Sequence, residues 1–133
     1  MYYKIKISNM PGKKGIVTYL TESDSVLDVA KAVENTIDKY QNNYIDRPEV
    51  EEIKLMKNFK PAINEKFADT NKLYMVKIAE DITVDGKTKT IKYELPVFAN
   101  DSIGLYDIVN DYLKQGFDNM RLTTISETKW IYI

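Results

Sequence analysis

Two stretches of this chain share one order of elements, and that order limits the fold more than any single residue does. Tyr3, Ile5 and Ile7 alternate with Tyr2, Lys4 and Lys6; Tyr74, Val76 and Ile78 repeat the pattern 71 positions later. Alternation at period two marks a strand with one buried face. Asp24-Ser25 opens an apolar stretch at helical spacing, and so does Asp101-Ser102, 77 positions on; Ile53 and Lys57 are echoed by Ile125 and Lys129 at 72. These offsets describe about six residues gained in the second hairpin and about five lost after the second helix. Identities are few, so the reading rests on element order.

Each stretch reads strand, strand, helix, strand. In the first, Tyr2 to Ser8 alternates, Met10-Pro-Gly-Lys-Lys-Gly15 breaks the chain, and Ile16 to Leu20 returns as a strand. Ser25 with Asp28 forms a capping signal, with the carboxylate at the positive end of the helix. Val26, Val29, Ala30, Val33, Ile37 and Tyr40 then recur at helical spacing, Asn42-Asn43 stops the helix, and Val50 to Phe59 is the third strand. In the second, Leu73 to Ile82 and Lys89 to Phe98 flank Asp85-Gly86, a dipeptide suited to a tight hairpin turn. Pro96 marks its strand as an edge, or breaks its ladder near there. Leu105, Ile108, Val109, Tyr112 and Leu113 form a helical face, Gly116 suits a C-cap, and Arg121 to Ile133 closes as a strand.

An apolar stripe on a helix must be buried against something, and so must one face of a strand. One such unit of ~60 residues is marginal alone. The expectation is therefore an α+β fold of duplicated ββαβ units in a single domain over residues 1–133. The first repeat is 1–59, the connector 60–71 and the second repeat 72–133, sharing one antiparallel six-stranded sheet with two helices on one face; two tandem lobes are the alternative, which the short connector disfavours. Ile63 and Phe67 are expected to pack the connector down.

Composition narrows function by exclusion. The chain of 133 residues has no Cys and no His, which removes disulfides, Cys/His zinc sites, thiol nucleophiles and Ser-His or Cys-His catalytic pairs. Lys plus Arg is 19 and Asp plus Glu is 20, so no overall charge pulls the chain toward nucleic acid or an anionic membrane. The opening Met1 to Ile7 has no apolar h-region and is not expected to be a signal peptide. No apolar run approaches the ~20 residues of a spanning helix. The expected setting is cytoplasmic, or a host cytoplasm for a viral protein.

If Tyr3, Ile5 and Ile7 face the helices, then Tyr2, Lys4 and Lys6 face away, with Leu73, Met75 and Lys77 on the same side of the second unit. Lys54, Met56, Lys92 and Arg121 or Thr124 join them from neighbouring strands. Lysines beside aromatics can grip single-stranded nucleic acid, ammonium groups on phosphates and rings on bases. The candidate nucleic-acid-binding residues are thus Tyr2, Lys4, Lys6, Lys54, Lys77, Lys92 and Arg121. Alternating lysines also keep sheets soluble, and a face bearing Met and Tyr also suits a protein partner, a second copy of the chain included.

Other features carry less. Met10 to Gly15 lacks the frame of a phosphate loop and does not lead from strand into helix, so it reads as a basic hairpin tip. Asp24 with Asp28, and Asp107 with Asp111, stand one helical turn apart without a nucleophile or base partner, and read as solvated helix surface. Asp81 and Asp85 lack calcium-loop spacing. Trp130 to Ile133 reads as a strand packed into a sheet, or as an exposed edge for a partner. No catalytic residue, metal site or cofactor is expected.

The opening Tyr2-Tyr-Lys-Ile-Lys-Ile7, its echo Tyr74-Met-Val-Lys-Ile78, the hairpin Asp85-Gly-Lys-Thr-Lys89 and the closing Ile125-Ser-Glu-Thr128 before Lys129 and Trp130 together suggest a family. They resemble an uncharacterised family of small duplicated proteins, a domain of unknown function in gut Bacteroidetes and their phages, crAss-like phages among them. The resemblance implies a phage setting and no catalytic residues. Two functions are expected from it and from the residues: a non-enzymatic binder of single-stranded DNA acting through the sheet face, or a protein-interaction module or virion accessory protein.

Overall fold

The computed structural model describes residues 1–10, 12–40, 48–116 and 119–133. In chain order the elements are β1 (Tyr2–Ser8), β2 (Val17–Glu22), α1 (Val26–Tyr40), β3 (Glu49–Met56), β4 (Lys72–Val84), β5 (Lys87–Ala99), α2 (Ser102–Lys114), β6 (Met120–Glu127) and β7 (Ile131–Tyr132), with a 3-10 turn at Glu65–Phe67. The fold is α+β, as the patterns require. The Asn42-Asn43 helix stop lies outside the described residues.

The strands form two sheets, β3-β1-β2-β7 and β5-β4-β6, which corrects the expectation of one six-stranded sheet. The reason lies in how the edges are used. The hairpin strands β2 and β5 cannot carry one sheet on into the other, because the second edge of each is taken: β2 gives its own to β7, paired in parallel through Tyr19–Ile131 and Leu20–Tyr132. The second edge of β5 is covered by the segment after β3. Lys60 N–H donates to the Glu94 carbonyl at 2.9 Å, Glu94 N–H to Asn58 at 2.9 Å, Ile63 N–H to Pro96 at 3.0 Å and Phe98 N–H to Ile63 at 3.0 Å. Pro96 sits on this outward side of an edge strand, where its missing N–H breaks no bond to β4. The strand expected over Arg121 to Ile133 is likewise two strands in different sheets.

The chain divides into two compact units, Met1–Lys57 with Lys129–Ile133, and Asn58–Thr128. In the first, α1 lays Val29 and Val33 on Tyr3, Ile5, Ile7, Met10 and Tyr19, with Val17, Ile37 and Ile133 at the margin. Its N-terminus is closed by the Ser25 hydroxyl, which accepts Asp28 N–H at 3.2 Å. Val26 shares the spacing of the stripe but is exposed, at the first turn of the helix.

In the second unit, Leu105 and Val109 of α2 pack on Tyr74, Val76, Ile78, Tyr93, Leu95, Val97 and Ala99. Asp101 caps α2, its carboxylate accepting Gly104 N–H at 2.8 Å. Asp85 and Gly86 both have positive φ, 51° and 75°, the geometry of a two-residue hairpin turn. Ile63 packs against this core as expected, whereas Phe67 is exposed with Lys66 Nζ 5.1 Å above its ring. Gly116 does not have the left-handed φ of a glycine C-cap; a Cβ there would overlap the Met120 side chain, so close approach explains it. Each unit has one irregularity where its first strand meets the strand after its helix. The register shifts between Lys6 and Ile7 against β3, and between Lys77 and Ile78 against β6.

Candidate functional site

The candidate residues divide between the units, with Tyr2, Lys4, Lys6 and Lys54 on the first sheet and Lys77, Lys92 and Arg121 on the second. On the first sheet the register sets Tyr2 opposite Met56, Lys4 opposite Lys54 and Lys6 opposite Glu52, all on the face away from α1. Tyr2 is 5% exposed, and a ring so covered has no free face for a base to stack on. Leu73 and Met75, expected on an open face, are buried as well, as is Phe98 opposite Leu73. Leu95-Pro-Val-Phe-Ala99 is a continuous apolar run, the pattern of a strand buried on both faces.

Charge on the first sheet is partly neutralised within it. Lys4 Nζ and Lys6 Nζ each lie 3.7 Å from the Glu52 carboxylate, so one anion serves two cations. Lys54 is exposed, faces Lys4 directly and makes no ion pair among the described residues. Like charges directly opposite across a ladder are unfavourable.

On the second sheet Lys92, Ala79 and Arg121 form one row across β5, β4 and β6, with Lys77 one row along between Glu94 and Thr124. Arg121 Nη1 reaches Asp81 Oδ2 at 2.9 Å, and the Thr90 hydroxyl donates to Asp81 Oδ1 at 2.7 Å. The Thr90 bond first, then Arg121, hold the Asp81 carboxyl below its ordinary range. Lys77 and Lys92 are exposed and make no ion pair among the described residues. Beneath this face, burial pushes the Tyr93 hydroxyl above its ordinary range, helped by Tyr112. That hydroxyl donates to Met120 Sδ at 3.0 Å, a packing role that brings no reactive group to the surface.

The most distinctive surface is one the sequence pattern did not single out. β3 is an edge strand: it pairs with β1 and with no other described strand. On its α1-facing side Val50, Ile53 and Leu55 are 41%, 39% and 39% exposed. The outer strand β6 differs. Leu122 and Ile125 on its helix-facing side are packed against the core, Thr124 and Ser126 are exposed, and the Thr123 hydroxyl donates to the Lys77 carbonyl at 2.8 Å. Polar side chains along an edge discourage strand pairing, whereas a long edge with exposed apolar residues invites it.

Among the described residues no cluster of three metal-ligating side chains occurs, and no helix is long and apolar enough to cross a membrane. No family model, curated protein or solved structure matches the chain.

Proposed function

We propose that the chain is a non-enzymatic protein-interaction module that takes an extended strand onto the free edge of β3. The observation that carries this reading is the apolar row Val50, Ile53 and Leu55 beside an eight-residue edge that no other described strand pairs with. Main-chain bonds along such an edge supply affinity, and alternate side chains supply selectivity. Other edges support it by contrast: β7 occupies β2, and residues 58–63 occupy β5. The test is a titration of fluorescent eight-residue peptides, alternating apolar with Lys or Glu, followed by anisotropy. Micromolar binding that Ile53→Pro abolishes, in a variant that retains its circular dichroism, is expected. Failure of every such peptide to bind, while β3 amides already exchange as slowly as those of β1, would refute it.

A second reading rests on Lys77, Lys92 and Arg121 gathered on one sheet face, the two lysines making no ion pair among the described residues. It makes that face a contact for a polyanion such as single-stranded DNA, through phosphates rather than stacked bases. Binding of a labelled oligonucleotide that falls steeply with salt, and is lost in Lys77→Glu with Lys92→Glu, is its signature; salt-independent or absent binding rejects it. The two units also read as copies of one ancestral ββαβ unit. What supports that is a bulge at positions 71 apart, with Ile53 opposite Ile5 in one and Ile125 opposite Val76 in the other. A phage setting, implied by the family resemblance, accommodates either role.

A further inference from the structure

The edge of β3 is complementary to itself in one register, and we infer that its occupant is β3 of a second copy of this chain, paired antiparallel about a two-fold axis through Ile53. This inference rests on the edge-pairing reading above and names the partner. A two-fold axis perpendicular to a sheet keeps each face on its own side, so residues of the same face must stand opposite one another. Because side chains alternate, the axis must then pass through a residue rather than between two.

The regular part of the strand runs from Glu52 to Met56; axes through Leu55 or Met56 run off the end of β3 within one residue, which leaves three centres that use the strand. An axis through Glu52 sets Glu52 against Glu52 of the second copy, and one through Lys54 sets Lys54 against Lys54; like charges directly opposite are destabilising. An axis through Ile53 sets Glu52 against Lys54 of the second copy, and Lys54 against its Glu52. It also brings the two Ile53 side chains, each 39% exposed, into contact on the α1 side, with Leu55 alongside.

The charge pattern inside one copy points the same way. Lys4 and Lys6 share a single anion, Glu52, which lies 3.7 Å from both. Lys54 faces Lys4 and makes no ion pair among the described residues. In the Ile53-centred register the second copy's Glu52 stands beside Lys54, so each row across the joint reads Lys4, Lys54, Glu52, Lys6. The pairing extends the four strands of one copy into eight and covers the edge that no other described strand protects. Its length is that of one strand, so a weak, concentration-dependent dimer is expected rather than an obligate one.

The experiment is sedimentation velocity over micromolar to sub-millimolar protein, with amide exchange of β3 measured at both ends of the range. A monomer–dimer equilibrium is expected, with β3 amides gaining protection as concentration rises. Lys54 is exposed and makes no ion pair among the described residues, so Lys54→Glu is expected to preserve the fold while placing a carboxylate opposite Glu52 of the second copy. It is expected to weaken association at least tenfold. Glu52→Lys is expected to do the same. An equimolar mixture of the two variants is expected to recover a heterodimer, since one chain then carries two cations at these positions and the other two anions. Where Glu52→Lys does not fold, Lys54→Gln supplies the intermediate point between wild type and Lys54→Glu. A dimer indifferent to Lys54→Glu overturns the inference. A wild-type chain that stays monomeric yet binds extended peptides at β3 rejects self-pairing alone; one that does neither rejects the edge reading with it.

Discussion

Replacing Gly116 with alanine sets two effects of opposite sign against each other. Gly116 follows α2 and its φ lies outside the left-handed region, which at the glycines is reserved to Gly12, Gly15 and Gly86. Alanine there should therefore reduce the entropy of the unfolded chain and stabilise by about 0.4–1 kcal/mol. The added Cβ, however, would meet Cγ of Met120, with Cε at 2.7 Å and Cβ at 2.9 Å. Contacts at Cβ and Cγ are not relieved by swinging a flexible tip. The tip is itself held, since Met120 Sδ accepts the Tyr93 hydroxyl. Overpacking of this kind typically destabilises by about 1–3 kcal/mol. The steric effect wins, for a net loss near 1 kcal/mol. Urea denaturation should show a lower midpoint at unchanged m-value. In a Met120→Ala background two of the three overlapping atoms are gone, so the penalty of Gly116→Ala should shrink by about 0.5 kcal/mol or more, as neighbours in contact do not add. A stabilised Gly116→Ala protein, or the same penalty in both backgrounds, would refute the reasoning.

Two further outcomes follow from particular bonds. Thr21 is buried and its hydroxyl donates to the Ile133 carbonyl at 3.0 Å, so Thr21→Val should lose about 1 kcal/mol while keeping its volume. The Ile133 amide, which donates to Leu20, should then exchange faster; unchanged exchange would detach the bond from the anchoring of β7. Asp81 has a folded pKa below its ordinary value, so its stabilisation is complete above the unfolded pKa of ~3.9 and disappears as pH falls through the folded value. The gap in stability between wild type and Asp81→Asn should accordingly narrow on acidification from about pH 5; a gap that widens would contradict the assignment of Thr90 and Arg121 as its partners.

Local chemistry was legible where it is decided locally. The bounds of β1 follow from strict alternation, the Asp85-Gly86 turn from residues that accept positive φ, and both helix starts from Ser25 and Asp101. What the pattern concealed depends on distant pairing. Two residues of β7 carry no periodicity, and residues 58–63 satisfy β5 with backbone groups that leave no side-chain signature, so the separation into two sheets could not be read. Glu52 and Asp81 look like ordinary surface acids until the register sets them beside Lys4 and Lys6 or Arg121. The exposure of Ile53 and Leu55 was hidden for the same reason: alternation says which way a side chain points, and only the neighbouring elements decide whether anything lies there. Tyr2 shows the converse, pointing as expected and yet covered.

The strand Ile131–Tyr132 also orders events in time. Its partners on β2 are made long before it, and the Thr21–Ile133 bond spans 112 positions. At ~5–20 residues per second a ribosome needs several seconds to deliver the residues between. Through that interval the first unit can close its own hairpin and helix but must hold the outer edge of β2 unpaired. A nascent chain is therefore at its stickiest just before Ile131 emerges, and slowing synthesis over residues 58–128 should raise aggregation without altering a single native contact.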